Sequence, residues 1–460
     1  MKIDELITPA VLVDGAVLKR NVERMQKMCA EKGIHLRPHV KSHNYPEIAK
    51  MQMAAGARGI TVATLREAEL MIQSGESVAK VGQEPTPAFR RRSRSYGGQV
   101  GHPSAGGELM RLEKKCLCSP PWRGTRPVPP KRLREGGSGG WVRNDIFIAR
   151  EIVDFAGLRR LAELTNSAQM SVAIDSAEGL RRLSQIMTEV QTRVGVLIEI
   201  DTGGRRCGLA SETEVCALAQ LAKRSPGIDW RGIFTHEGHV YSASSREEMI
   251  KISAEVVERM SELYDILTKK QLAPDVVSIG SSPSLKLLAD RRKITEARPG
   301  NYVFNDAMQL ANGSAGLEDC ALKVMATVIS KPASDRVILN VGSKLLGSDR
   351  GSRISDSGGF GLVIDPCNSC GRAGPRVERG KQPACQTRGM VPPPLKIAKI
   401  YEEHAVIEEA SNPFAVGQNV IFVPSHACMA ANLAREIYVT DAGGKVIDCW
   451  SNQKMKEDRL

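Results

Sequence analysis

The chain has 460 residues, with 64 Lys and Arg against 52 Asp and Glu, a formal net charge of +12. Hydrophobic residues make up 42%, charged residues 25% and aromatics 4%, which excludes collagen-like, disulfide-framework and wholly disordered classes. No apolar run approaches the roughly 18–20 residues of a membrane helix. The start, MKIDELITPAVLVDG, carries early acids and no long apolar stretch, so a cytoplasmic protein without a secretory signal or membrane partner is expected.

In chain order, apolar or β-rich runs fall at residues 36–43, 59–64, 145–149, 171–176, 194–201, 229–237, 275–284 and 296–305. Helical patterns fill most of the gaps, at 45–54, 65–74, 156–164, 177–190, 212–223 and 245–269. Eight strands alternating with helices predict an α/β fold, a (β/α)8 TIM-type barrel over residues 8–306. An open doubly wound sheet would want a Gly-rich phosphate turn after its first strand, and none is there. Beyond Asp306 the runs become short, at 322–329, 336–341, 361–364, 397–401, 419–423 and 436–440. They predict a C-terminal mostly-β domain over 307–455.

Two stretches break this order. Residues 76–141 carry a net charge of +8 and residues 365–394 a net of +3, leaving about +1 for the remainder. Both are rich in Arg, Gly, Pro and Ser without a period of 2 or 3.6, so they read as disordered insertions. The first lies between a helix and a strand, on the barrel face opposite the site such barrels carry. Joining its flanks gives MIQSG–VRNDIFIAREIV, an ordinary junction, so a retained intron or gene-model error is one reading of it. Five of eleven cysteines lie in these stretches, including Cys116, Cys118, Cys367 and Cys370, a weak zinc pattern. The other six are scattered like thiols of a reducing compartment. The basic runs at 90–94 and 131–134 have few aromatics nearby, which favours nonspecific over specific nucleic-acid binding.

The chemistry is carried by six motifs. The first strand reads R-P-H-V-K-S-H, and a lysine there departs from the branched apolar residues usual inside a barrel. Lys41 either snorkels at the strand end or forms a Schiff base, with Arg37, His39 and His43 helping to keep it neutral. Arg206 follows the tight Gly203-Gly204 turn, whose backbone can approach a ligand closely. His236 and His239 stand in T-H-E-G-H. Gly280, Ser281 and Ser282, after the seventh strand, can present N–H groups and hydroxyls to an anion. Tyr302 follows in R-P-G-N-Y. His426 and Cys428, spaced i and i+2, would share one face of a strand and favour zinc over harder cations.

Together, R-P-H-V-K-S-H, G-I-T-V-A-T-L-R-E-A-E from Gly59, E-I-D-T-G-G-R-R-C-G from Glu199, and P-S-H-A-C resemble the D-threonine aldolase and D-serine dehydratase family. The likeness runs from about residue 8 to residue 450, outside both insertions. It implies a pyridoxal 5'-phosphate (PLP) enzyme of the alanine-racemase type, a lyase acting on D-3-hydroxy amino acids, and a homodimer. It implies Lys41 as the PLP lysine and His39, Thr64, Arg206, His236, Gly280, Ser281, Ser282 and Tyr302 around the cofactor. It also implies His426 and Cys428 as the metal pair, with cysteine at the second position pointing to zinc and to the dehydratase side. Many relatives have tyrosine where His236 stands, so His236 could stack on the ring, act as a base or be a buried polar residue. Aldol cleavage and dehydration stay open, as do a racemase on the same fold and a PLP-binding protein with little turnover.

Overall fold

The computed structural model describes residues 1–81, 145–350, 359–364, 395–410 and 412–452. Most of the expected insertion 76–141 and all of 365–394 lie outside these residues. So do the four cysteines of the weak zinc pattern and both basic runs.

The chain opens on β1 (Ala10–Asp14) and α1 (Gly15–Glu31). Asp14 caps α1, its carboxylate accepting from the N–H groups of Ala16 and Val17. The barrel follows as β2 (His35–Leu36), α2 (Pro46–Ala54), β3 (Ile60–Val62), α3 (Leu65–Val81), β4 (Asp145–Glu151), α4 (Phe155–Leu164), β5 (Gln169–Ile174) and α5 (Ala177–Glu189). It continues with β6 (Val194–Ile200), α6 (Glu212–Arg224), β7 (Ile228–Thr235), α7 (Arg246–Lys269), β8 (Val276–Ile279), α8 (Ser282–Leu287) and β9 (Glu296–Ala297). Side-chain caps from Asp154, Ser176, Ser211 and Ser245 start four of these helices. In α5, Leu180, Leu183, Ile186 and Met187 recur at helical spacing and are all buried, the stripe that docks a helix on a sheet.

The eight strands are parallel, in the order β2-β9-β8-β7-β6-β5-β4-β3. A parallel bridge between His39 and Thr61 joins the two ends, so the expected barrel closes. Alternate residues serve its two faces: Ile146 and Ile148 of β4 join the core under the helices. Phe147 turns inward with Ala173, Leu197, Phe234 and Val276. Phe147 and Phe234 meet edge to face at 5.0 Å and form the floor under the strands' C-terminal ends.

Two barrel strands are much shorter than expected, and each stops beside a proline. The run 36–43 is strand only at His35–Leu36, and 296–305 only at Glu296–Ala297. Pro38 and Pro299 lack the N–H a ladder needs. Beyond them the chain forms 3-10 turns at Val40–Ser42 and Asn301–Val303. The 275–284 run likewise ends at Ile279, and α8 begins with Pro283 in its first turn.

After α9 (Ala307–Ala311) come β10 (Leu322–Ala333), β11 (Arg336–Leu339), α10 (Ser343–Leu346), β12 (Gly361–Val363), β13 (Ile397–Ile400), β14 (Ala405–Glu408), β15 (Asn419–Pro424), α11 (Ala427–Leu433), β16 (Glu436–Thr440) and β17 (Val446–Ser451). These strands and β1 form one nine-stranded sheet. The barrel span expected from residue 8 therefore begins with a strand that pairs elsewhere: β1 lies between β10, antiparallel, and β16, parallel. The chain starts in the β domain, crosses to the barrel through α1, and returns at β10.

Candidate active site

Lys41 sits on the 3-10 turn just past β2, not within a strand. The His39 ring nitrogen Nδ1 accepts from the Lys41 N–H at 3.4 Å. The β domain fixes the turn's other side, where Asn432 Nδ2 donates to the Lys41 carbonyl at 2.8 Å. Gly300 lets the two short turns touch: a Cβ there would lie 2.2 Å from Ser42 Oγ and 2.9 Å from the His39 carbonyl oxygen. The Lys41 side chain is accessible from a double cavity. One lobe, of about 180 Å³, runs toward Arg206. The other, of about 280 Å³, runs toward His426 and Cys428. His39, Lys41, His236, Gly280 and Arg298 line both lobes.

The surroundings of Lys41 make its amine easier to deprotonate than an ordinary lysine. Burial pulls its pKa below the ordinary lysine value; the Cys428 charge opposes this, and Arg206 and Arg298 add to the lowering. His236 is pulled down to about 3, by burial first and then by Lys41, Arg206 and Arg298. Burial first, then Lys41, Arg298, His236 and His43, hold His39 well below its ordinary value. Both imidazoles are therefore neutral near pH 7.

Arg298 is a site residue that sequence reasoning missed, although its motif was quoted for Tyr302. Only 2% exposed, it donates to Ser278 Oγ and to the Thr235 carbonyl. Its guanidinium lies 4.9 Å from the Phe234 ring centroid and 5.7 Å from that of Phe147. Its Nε is buried without a partner. Arg206 is held from the barrel end by Glu199, at 3.0 Å.

Three expectations need correction. The Gly280 and Ser281 N–H groups, expected to face a ligand anion, donate instead to the Glu237 carboxylate, Ser281 at 2.8 Å. The Ser281 hydroxyl accepts from the Ser284 N–H. Ser282 Oγ, in contrast, is buried, has no partner, and belongs to a residue lining the cavity. Tyr302 turns away: its hydroxyl accepts from Gln52 Nε2 at 3.0 Å, and it lines a separate cavity of about 560 Å³ beside α1. Thr64 is the residue before α3, its hydroxyl accepting from the Glu67 N–H at 3.2 Å, and it is not among the cavity-lining residues. Gly203 has a φ of +118°, which L side chains rarely adopt, and this rather than crowding calls for glycine, since a Cβ there would meet the His239 ring at an ordinary contact distance of 3.4 Å.

His426 and Cys428 come together, but not on a strand. His426 is the residue before α11 and Cys428 lies in its first turn. Asp349 contacts His426 Nδ1 at 2.6 Å, and Asn301 Nδ2 lies 3.4 Å from Cys428 Sγ. Burial raises the Cys428 thiol, but the His426 charge and hydrogen bond outweigh it and the net shift is downward. Burial would lower His426, yet Cys428, Asp306 and Asp349 push it up to about 10. Asp306, 0% exposed, ties the pair to the barrel by accepting from the Ala427 N–H at 3.0 Å. Neither Asp349 nor Asp306 was singled out from sequence, because their approach depends on the packing of the two domains.

Residues 13–307 match the family model for the alanine racemase N-terminal domain, and residues 321–440 that for a serine dehydratase domain. The D-threonine aldolase of Arthrobacter sp is 27% identical over 448 residues, 96% of this chain and 91% of its own. The D-serine dehydratase of Dictyostelium discoideum is 23% identical over 98% of each chain. The solved D-threonine aldolase from Filomicrobium marinum matches with a TM-score of 0.72 at 21% identity, covering 99% of this chain and 98% of that one. D-threo-3-hydroxyaspartate dehydratase from Delftia sp. HT23 gives 0.73 at 23% identity over 98% of each. The barrel and the appended β domain thus form the architecture of these proteins, and the chain belongs to the alanine racemase N-terminal domain family.

Proposed function

We propose that this chain is a PLP-dependent lyase that eliminates water from D-3-hydroxy amino acids, the imine so formed then taking up water to give a 2-oxo acid and ammonia, with Lys41 as the cofactor lysine. The observation that carries this reading is the placement of Lys41. A lysine with a lowered pKa stands between an arginine lobe and a histidine–cysteine lobe, at the C-terminal mouth of a barrel. The relatives' activities on D-threonine, D-serine and D-3-hydroxyaspartate support the substrate class.

The residues fit the cofactor. The partnerless Ser282 Oγ and Arg298 Nε suit a phosphate, with Gly280 on the adjoining wall. Arg206 suits the far end of the pyridine ring. His39 and His236, both neutral, suit contacts with an aromatic ring. PLP, when bound, withdraws electrons from the substrate's Cα. Lys41, its pKa lowered from the ordinary lysine value, can take the α-proton and return it to the leaving hydroxyl. His236, with its pKa near 3, is a poor base, so its part is to pack and to accept hydrogen bonds.

His426 and Cys428 would hold the metal. An imidazole with a thiolate is a borderline-soft donor set, which suits zinc, and Asp349 orients the ring through Nδ1 and leaves Nε2 for the ion. Zinc there would supply a Lewis acid for the substrate's β-hydroxyl.

The test is visible absorbance of the purified chain with PLP, beside Lys41→Ala, followed by product analysis. A Lys41-dependent band and pyruvate from D-serine are expected. Absence of that band overturns the cofactor reading. Acetaldehyde from D-threonine without pyruvate from D-serine would replace dehydration with aldol cleavage.

A further inference from the structure

The lobe around Arg206 holds an acidic group that the proposed chemistry leaves unused. Arg206 is a long side chain, 55% exposed, on the loop after β6. A surface ion pair would order it only weakly. Its partner is not a surface group: Glu199 is only 3% exposed, so the carboxylate is fixed and strips little further water to hold the guanidinium. Glu199 has a second neighbour in Glu151, at the end of β4. The ligating atoms of Glu151, Glu199 and Cys207 all lie within 4.8 Å of one another.

We propose that Glu151 and Glu199 form a carboxylic acid–carboxylate pair that positions Arg206, and that loss of the shared proton weakens Arg206's hold on the cofactor. The proposal rests on Arg206 contacting PLP, as argued above. Two carboxyls this close cannot both ionise cheaply, and one guanidinium offsets only one of them. Burial first, then the hydrogen bond and charge of Glu199, push Glu151 up to about 7, with Asp175 adding to the rise.

The surrounding charges come from each neighbouring element. Arg150 precedes Glu151 on β4. Asp175 follows β5 and accepts from the Gly208 N–H. From the loop after β6, Arg206 is the cation, while Cys207 is pushed up by burial and by Glu151 and Glu199, so it stays a neutral thiol. His39, Lys41, His236 and Arg298 stand across the lobe, and of these the two imidazoles are neutral. A cation could be drawn to two glutamates and a thiol, but Arg206 already neutralises Glu199. A proton on Glu151 completes the balance without an ion. Once it leaves, two carboxylates compete for Arg206 and place an uncompensated charge beside an anionic cofactor.

Glu151 and Glu199 are positioning residues, and the test reads cofactor binding rather than turnover. PLP affinity of the full chain is measured by fluorescence quenching between pH 6 and 8.5. The wild-type dissociation constant should rise about tenfold through neutrality. Glu151→Gln, which keeps a donor but cannot ionise, should hold the low-pH value throughout. Glu199→Gln should bind about tenfold more weakly at every pH. A purely structural role would shift melting temperatures and leave the pH profile alone, so an unchanged profile in Glu151→Gln overturns the proposal. Infrared spectra of the cofactor-free chain test the pair apart from the lyase reading. A protonated-carboxyl band present at pH 6, lost by pH 8.5 and absent in Glu151→Gln is expected. Its absence from the wild type sinks the pair even if PLP binds, whereas failure of PLP to bind with the band present sinks the cofactor reading and Arg206's part in it.

Discussion

At the scale of single residues, burial decides what the polar groups at the barrel mouth can do. His43 shows this most simply. It is 0% exposed, lies edge-on to Phe304 at 6.4 Å, and accepts from the Tyr45 N–H at 3.1 Å. Burial lowers its pKa to about 3, against roughly 6.5 in an unfolded chain. The folded state therefore stays unprotonated where the unfolded state binds a proton. The stability this contributes is full above about pH 6.5 and is lost as pH falls toward 3, at about 1.4 kcal/mol per pH unit. His43→Asn keeps an acceptor for Tyr45 and cannot titrate. Its deficit in urea-unfolding free energy should shrink by about 2 kcal/mol between pH 7 and pH 5; an unchanged deficit would show that His43 titrates in the fold as it does in the unfolded chain. The sequence made Lys41, Arg206, His426 and Cys428 legible, since each sits in a short motif of unusual composition. It did not make Arg298 legible. An arginine laid on Phe147 and Phe234 is visible only when β4 and β7 bring those rings together.

At the scale of elements, the site is built where regular structure stops. The alternation of strand and helix was legible because apolar periodicity is local. The strand ends were less so, because Pro38 and Pro299 allow an extended chain but not a ladder, and both runs continue as turns. These turns carry Lys41 and Asn301, and they touch through Gly300. Gly300→Ala would force a methyl against Ser42 Oγ and the His39 carbonyl, at 2.2 and 2.9 Å, and one of those contacts is backbone. The Lys41 turn must move to relieve it. The expected result is a stability loss of about 1–3 kcal/mol and a PLP affinity at least tenfold lower, read by denaturation and by titration of the visible band. Wild-type affinity in this variant would mean that the turns are not coupled through Gly300. The reading of His426 and Cys428 failed in the same way: the i, i+2 spacing suggested a strand, while the chain begins a helix at Ala427.

At the scale of the whole molecule, the long-range pairings are what the sequence hides. β1 pairs residue by residue with strands more than 300 positions away, Leu12 opposite Lys323 and Tyr438. No local pattern encodes that. The same pairings show how the two low-complexity segments sit in the chain. β3 and β4 flank the first of them in sequence, yet they are adjacent parallel strands with Ile60 opposite Ile146. They need only the usual helix-to-strand link of about 2–6 residues. The second segment departs and returns at one place: the Val363 N–H donates to the Leu395 carbonyl at 2.8 Å, and Leu362 bridges Lys396. A short hairpin would close that gap. The excess charge belongs to these segments too, so the +12 of the chain says little about the catalytic fold. Deleting 76–141 leaves Gly75 as a helix stop before Val142, and deleting 365–394 as well brings the net charge to about +1. The doubly deleted chain should melt within a few degrees of the full one. It should keep a Lys41-dependent PLP band and leave a cation-exchange column at much lower salt. Loss of the band in a deleted chain that still melts cooperatively would show that one of the segments reaches the cofactor site. Loss of folding would show that the barrel needs the first segment despite the direct β3–β4 pairing.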